Sequence, residues 1–118
     1  MKIVDYDPVG DSLFVRIPLG EYEYSISVDD IIFDVGKIED KVTILGFEIL
    51  DVSKKLRVSP YLLSRGIRKL YAEIKVTKDA INFFIRVEII KRGRVSETKR
   101  NFVTKNTGLP TLEATIEA

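Results

Sequence analysis

The sequence predicts a mainly β protein of α+β type, built from antiparallel β-meanders with one short helical connector around residues 51–66. Three observations carry that reading. Apolar and polar residues alternate with period two in stretch after stretch. Turn-forming Asp, Gly and Pro residues separate those stretches at short intervals. Only Asp51 to Gly66 carries the start and stop signals of helices.

Residues 2–6 and 12–17 read as two strands joined by Asp7-Pro8-Val9-Gly10-Asp11. In that turn Pro presets φ, Gly supplies a positive φ, and the aspartates bond their own backbone. Leu13, Val15 and Ile17 share one face of the second strand. Tyr22, Tyr24, Ile26 and Val28 alternate with Glu and Ser, and Ile31 to Val35 follows the Asp29-Asp30 turn. Val42 to Leu50 makes a further strand with Gly46 inside it, where a glycine marks a bulge or a close backbone approach.

In the connector, Asp51 is placed to cap a helix at Val52 to Leu56. Ser59-Pro60 is a cap followed by proline at the first helical position, and Gly66 suits a helix stop. From Lys69 the period returns to two. Leu70, Ala72, Ile74 and Val76 share a face, and Ile81, Phe83, Ile85, Val87 and Ile89 line the next strand. Arg92-Gly93 turns the chain into a more polar strand from Val95 to Lys105. Residues 1–105 are expected to form one domain, with Asn106 to Ala118 as a tail.

Composition narrows the chemistry. The chain has no Cys, no His and no Trp. A thiolate nucleophile, a zinc site of the usual kind, an imidazole base and a Ser-His-Asp triad are all excluded. Scarce thermolabile residues beside abundant Lys, Glu, Arg and Ile point to a thermophilic source. No apolar run is long enough for a membrane helix. The N-terminus reaches Asp5 too soon for a signal peptide, so the expected location is cytoplasmic.

The near-neutral total hides a split. Residues 1–64 carry seven Lys or Arg against twelve Asp or Glu, whereas residues 65–105 carry twelve against four. Such asymmetry points to an anionic partner or to self-association.

Two stretches have a family character. Tyr6-Asp7-Pro8, Asp11-Ser12-Leu13-Phe14-Val15-Arg16-Ile17 and Asp30-Ile31-Ile32-Phe33-Asp34 stand ahead of Leu45-Gly46-Phe47-Glu48-Ile49-Leu50-Asp51-Val52-Ser53-Lys54-Lys55-Leu56. Together they resemble the domain of unknown function number 2283, over residues 1–56. The resemblance implies a small β-rich domain with a short helix and no established activity. It also implies pairing with small toxin-like proteins, as an antitoxin would. It is silent about the basic meander, residues 67–105, which the connector at 57–66 joins to it.

Two motifs point to nucleic acid. Residues 52–70 resemble a helix-turn-helix, with Leu56, Val58, Leu63, Ile67 and Leu70 as the seam. Arg57 in the turn and Gly66 in the second helix speak against it. On the meander, Lys69, Tyr71, Lys75, Phe84 and Arg86 alternate with core positions. Arg92, Arg94, Lys99 and Arg100 extend the pattern. Interleaved cations and rings suit phosphates and bases. The competing explanation is a solvated sheet face with cross-strand packing. Asp7, Asp11, Asp29, Asp30, Asp34 and Glu48 match no calcium-loop spacing and suit turns, so no metal and no cofactor is expected.

The sequence therefore leads to a non-enzymatic protein-interaction module. Its expected partners are a protein, including a second copy as a homodimer, with nucleic acid as the alternative.

Overall fold

The computed structural model describes residues 3–118. Met1 and Lys2, the latter assigned to the first predicted strand, lie outside them. Nine strands and two one-turn helices run in the order β1 (Ile3–Asp7), β2 (Ser12–Arg16), β3 (Glu21–Val28), β4 (Ile31–Ile38), β5 (Lys41–Ile49), α1 (Val52–Leu56), α2 (Pro60–Ser64), β6 (Ile67–Val76), β7 (Ala80–Lys91), β8 (Arg94–Lys105) and β9 (Leu112–Glu117). The mainly β, antiparallel architecture matches the sequence reading.

Sheet 1 has the strand order β1-β2-β5-β4-β3 and sheet 2 the order β8-β7-β6-β9. Each sheet buries one face, as period-two patterning requires. From sheet 1 come Leu13, Val15, Phe33, Phe47 and Ile49, and from sheet 2 Ala72, Ile74, Phe83, Ile85 and Val87. Phe83 sits at the centre. Its ring lies 4.8 Å from Phe47, 5.7 Å from Phe33 and 5.9 Å from Phe102, in tilted and edge-on geometries that aromatic quadrupoles favour.

Gly46 meets both parts of its expectation. Asp34 pairs with Gly46 and Val35 with Ile44, so Leu45 is the extra residue of a β-bulge in β5. A Cβ on Gly46 would lie 2.4 Å from the Val15 carbonyl oxygen, so the β2–β5 approach needs the missing side chain.

The connector is two helices of five residues each, as its two start signals indicate, and it departs from the sequence reading in two ways. Ser59 caps α2 through a bond from the Leu62 N–H to its hydroxyl, as expected. Asp51 does not cap α1: it adopts a left-handed φ of 53°, and its side chain makes no capping bond. That role falls to Asp11, whose carboxylate accepts from the Ser53 N–H at 3.2 Å and the Ser53 hydroxyl at 2.7 Å. The helix-turn-helix is also corrected. Ile67 to Leu70, its last turn, belong to β6, and α2 stops at Ser64 before Gly66 at φ 115°. No recognition helix is formed.

Residues 106–118 are not a tail. Leu112 to Glu117 pair with Val76 to Tyr71 as the edge strand of sheet 2, and Leu109 and Ile116 are buried. Asn106 fixes the crossover. Its amide nitrogen donates to the Thr77 and Leu109 carbonyls, and its amide oxygen accepts from the N–H groups of Gly108 and Leu109. Alternation of Leu112, Ala114 and Ile116 with Glu113, Thr115 and Glu117 was the strand signal in this segment.

Candidate functional site

The outer face of sheet 2 carries the candidate residues. β7 buries every second residue from Ile81 to Ile89, which leaves Asn82, Phe84, Arg86 and Glu88 on the other side. Directly paired residues share a face, so the register extends each of these positions across the sheet. One row is Lys99, Arg86, Tyr71 and Glu117. The next is Glu97, Glu88 and Lys69, and a third is Val103, Asn82, Lys75 and Glu113.

Six of the expected residues therefore meet on this face: Lys69, Tyr71, Lys75, Phe84, Arg86 and Lys99. The Arg86 guanidinium stacks 4.9 Å from the Tyr71 ring centroid, and the Phe84 ring meets Tyr71 edge-on at 6.3 Å. The Tyr71 hydroxyl donates to the Glu73 carboxylate, and that bond, with some desolvation, holds the phenol above its ordinary pKa. Arg92 and Arg94 stand apart at the tip of the β7–β8 hairpin, where Arg94 pairs with Lys91.

Arg100 does not belong to the site. It pairs with the buried Ile85, which places it on the inner face, and its Nε donates to the Lys55 carbonyl at 2.9 Å. It therefore holds α1 against β8. Phe102 likewise pairs with Phe83 and packs inward.

The cations of the face are matched by acids. Lys69, Lys75, Arg86, Lys99 and Lys105 share it with Glu73, Glu88, Glu97, Glu113 and Glu117. Glu97 lies 3.3 Å from Lys99 and 3.7 Å from Arg86, and Glu113 lies 3.6 Å from Lys75. The face is a charge-matched lattice rather than a cationic stripe. Two of its acids come from β9, the segment the sequence reading set aside as a tail.

A second feature is the free edge of β8. Lys91 and Arg94 close a two-residue turn in which Arg92 has φ 53° and Gly93 φ 74°, the geometry of a type I′ hairpin. The closing pair of such a hairpin exchanges both backbone bonds, and pairs then alternate. Ser96, Thr98, Arg100 and Phe102 therefore bond to β7. Val95, Glu97, Lys99, Asn101 and Val103 direct their N–H and C=O groups away from it. The other edges are protected: β1 has five residues, β9 has six, and β3 carries a register shift at Tyr22/Tyr24. β8 has twelve residues and pairs with β7 without a break, and Val95 and Val103 on it are 48% and 65% exposed.

The acids of the first half have separate partners. Asp7 accepts from the Val9 N–H, Asp11 from Ser53 and Tyr6, Asp34 from Ser25, and Asp29 from Thr104, while Asp30 faces Lys55. Among the described residues no group of three or more Asp or Glu is placed to hold a metal ion. No helix among them is long and apolar enough to cross a membrane.

The family described as protein of unknown function (DUF2283) matches residues 3–53, which span β1 to β5 and the start of α1. A relative in Methanocaldococcus jannaschii, an uncharacterized protein, is 33% identical over 95 residues, covering 80% of this chain and 79% of that protein. The chain belongs to the DUF2283 family. A second relative, in Methanosarcina mazei, bears the name "Putative hypoxanthine phosphoribosyltransferase" and is 32% identical over 91 residues, covering 77% of this chain and 71% of that protein. Both alignments are longer than the DUF2283 segment itself, so the likeness to these proteins reaches into sheet 2. No solved structure gives a significant match.

Proposed function

We propose that this DUF2283 protein is a non-enzymatic interaction module that joins another chain by strand addition at β8, and that the other chain is a second copy. One observation carries the reading. β8 is the single long, regular edge of the described residues, and its outward backbone groups from Val95 to Val103 have no partner in the sheet. Edge charges usually discourage pairing. Here Glu97 and Lys99 alternate in sign, so an antiparallel second copy centred on Thr98 sets each Glu97 opposite the other copy's Lys99. Such pairing is isologous and closes at two chains. The proposal stands on this backbone edge and not on the name of the Methanosarcina mazei relative. A toxin-like partner would compete for the same edge.

Sedimentation equilibrium tests it. The wild-type chain is expected to run as a dimer. Lys99→Pro removes an outward N–H without breaking the β7 ladder, and it is expected to yield a folded monomer. A wild-type monomer at high concentration, or a dimer indifferent to the proline, overturns the reading.

A further inference from the structure

Exposed positive charge without an acidic partner collects at one end of sheet 2, around the β7–β8 turn and the start of β6. Lys91 and Arg94 face each other there as the closing pair of the β7–β8 hairpin, and Arg92 fills the turn. Ile67 pairs with Ile89 and Lys69 with Glu88, so Arg68 is the extra residue of a bulge two positions from Lys91 in register. Arg65 follows α2 at the same end of β6. All five side chains are exposed. None of the ion pairs among the described residues involves them.

Local stability does not explain this arrangement. Like charges directly opposite in a hairpin are destabilising. A type I′ turn prefers Asn, Asp or Gly at the position that Arg92 holds with φ 53°. Strain and repulsion gathered at one place point to function. A groove of about 530 Å³ runs onto the outer face beside this end, lined by Arg68, Lys69, Tyr71, Arg86, Glu88 and Glu117. The Tyr71 ring and Arg68, one of the five cations, line the same groove.

We infer that this end of sheet 2 binds the sugar-phosphate backbone of a single-stranded nucleic acid, with Arg65, Arg68, Lys91, Arg92 and Arg94 on phosphates. The site ends at Arg94, one residue before the outward-facing stretch of β8 that starts at Val95, and needs no second copy. Arg86 at the centre of the face and Lys75 toward its far end serve the ion-pair lattice instead.

Fluorescence anisotropy of labelled single-stranded and duplex oligonucleotides tests the assignment at about 50 and 200 mM salt, where phosphate contacts separate clearly. Saturable single-strand binding is expected, falling with salt in proportion to about three to five phosphates. The double variant Arg92→Glu/Arg94→Glu is expected to lose about tenfold or more, while Lys75→Glu at the opposite end stays within about twofold. Arg68→Ser, outside the hairpin, is expected to weaken binding as well, which keeps the test independent of turn geometry. Absence of wild-type binding at low salt overturns the inference. Equal losses in the hairpin and Lys75 variants overturn it too, since they would show only a general charge effect. Duplex binding equal to single-strand binding removes the single-strand assignment.

Discussion

The carboxylate of Asp11 caps helix α1 from 42 residues away, bonding both the N–H and the hydroxyl of Ser53. It also accepts from the Tyr6 hydroxyl at 2.8 Å, and its own carbonyl accepts from the Val52 N–H. One turn residue of sheet 1 thereby fixes the entry to the connector that leads to sheet 2. Asp11→Ala is expected to destabilise the fold by about 2 kcal/mol, the range of charge-assisted hydrogen bonds, with Asp11→Asn costing less because it keeps acceptor and turn geometry. Urea denaturation at neutral pH measures both.

The same cluster sets a pH dependence at both extremes. Burial alone would raise the Asp11 pKa, but the bonds from Ser53 and Tyr6 and the nearby Lys54 charge outweigh it and hold the carboxyl below its ordinary 3.8. As pH falls through that region the unfolded chain takes up the proton first, so the Asp11 contribution drains away toward lower pH. Burial and the Asp11 and Asp7 charges push the Tyr6 phenol up to about 12 from 10.0. Between those values the folded chain keeps a proton that the unfolded chain has released, so stability falls as pH rises. Thermal melts of wild type and Tyr6→Phe are expected to differ by a constant gap through the neutral range, because the variant lacks the bond to Asp11, and that gap is expected to narrow as pH rises from 10 toward about 12.

Gly46 tests the bulge. Gly46→Ala drives a Cβ against the Val15 carbonyl, and a loss of about 2 kcal/mol is expected from overpacking. Gly108→Ala is the contrast. Its nearest neighbour is the Ile26 side-chain tip at 3.3 Å, which can move, so the change is expected within about 0.5 kcal/mol. Equal effects in the two denaturation curves would remove the steric account.

A chain without cysteine permits a direct test of dimer register. With Thr98 on the two-fold axis, the two Thr98 residues form a non-hydrogen-bonded pair with Cα atoms about 4.5 Å apart, within disulfide range. Oxidised Thr98→Cys is expected to migrate as a covalent dimer on non-reducing gels, and Asn101→Cys as a monomer. The reverse result would keep the edge and move the register. Lys99→Glu is expected to weaken the dimer about tenfold by setting like charges opposite one another, and Glu97→Lys added to it restores the pairing.

Much of the architecture was legible in the sequence because period-two patterning is strong where one face is buried. Leu13 to Ile17 and Ile81 to Ile89 are plain examples. The caps were legible only where they are local. Ser59-Pro60 reads correctly because its partner is Leu62, whereas Asp11 escapes a reading that looks for a cap beside the helix. Spacing also placed Lys69, Tyr71, Arg86 and Lys99 on one face. It could not show that β9 brings Glu113 and Glu117 beside them, because strand order is a tertiary property. Arg100 escaped for a related reason: alternation gives two faces, and only packing shows which of them is covered.

The DUF2283 match ends at residue 53, where sheet 1 has just been completed. That sheet cannot stand in water by itself. Leu13, Val15, Phe33, Phe47 and Ile49 are at most 1% exposed here only because the strands of sheet 2 lie over them. The matched segment is thus half of a sandwich, and in this chain the residues beyond it supply the lid.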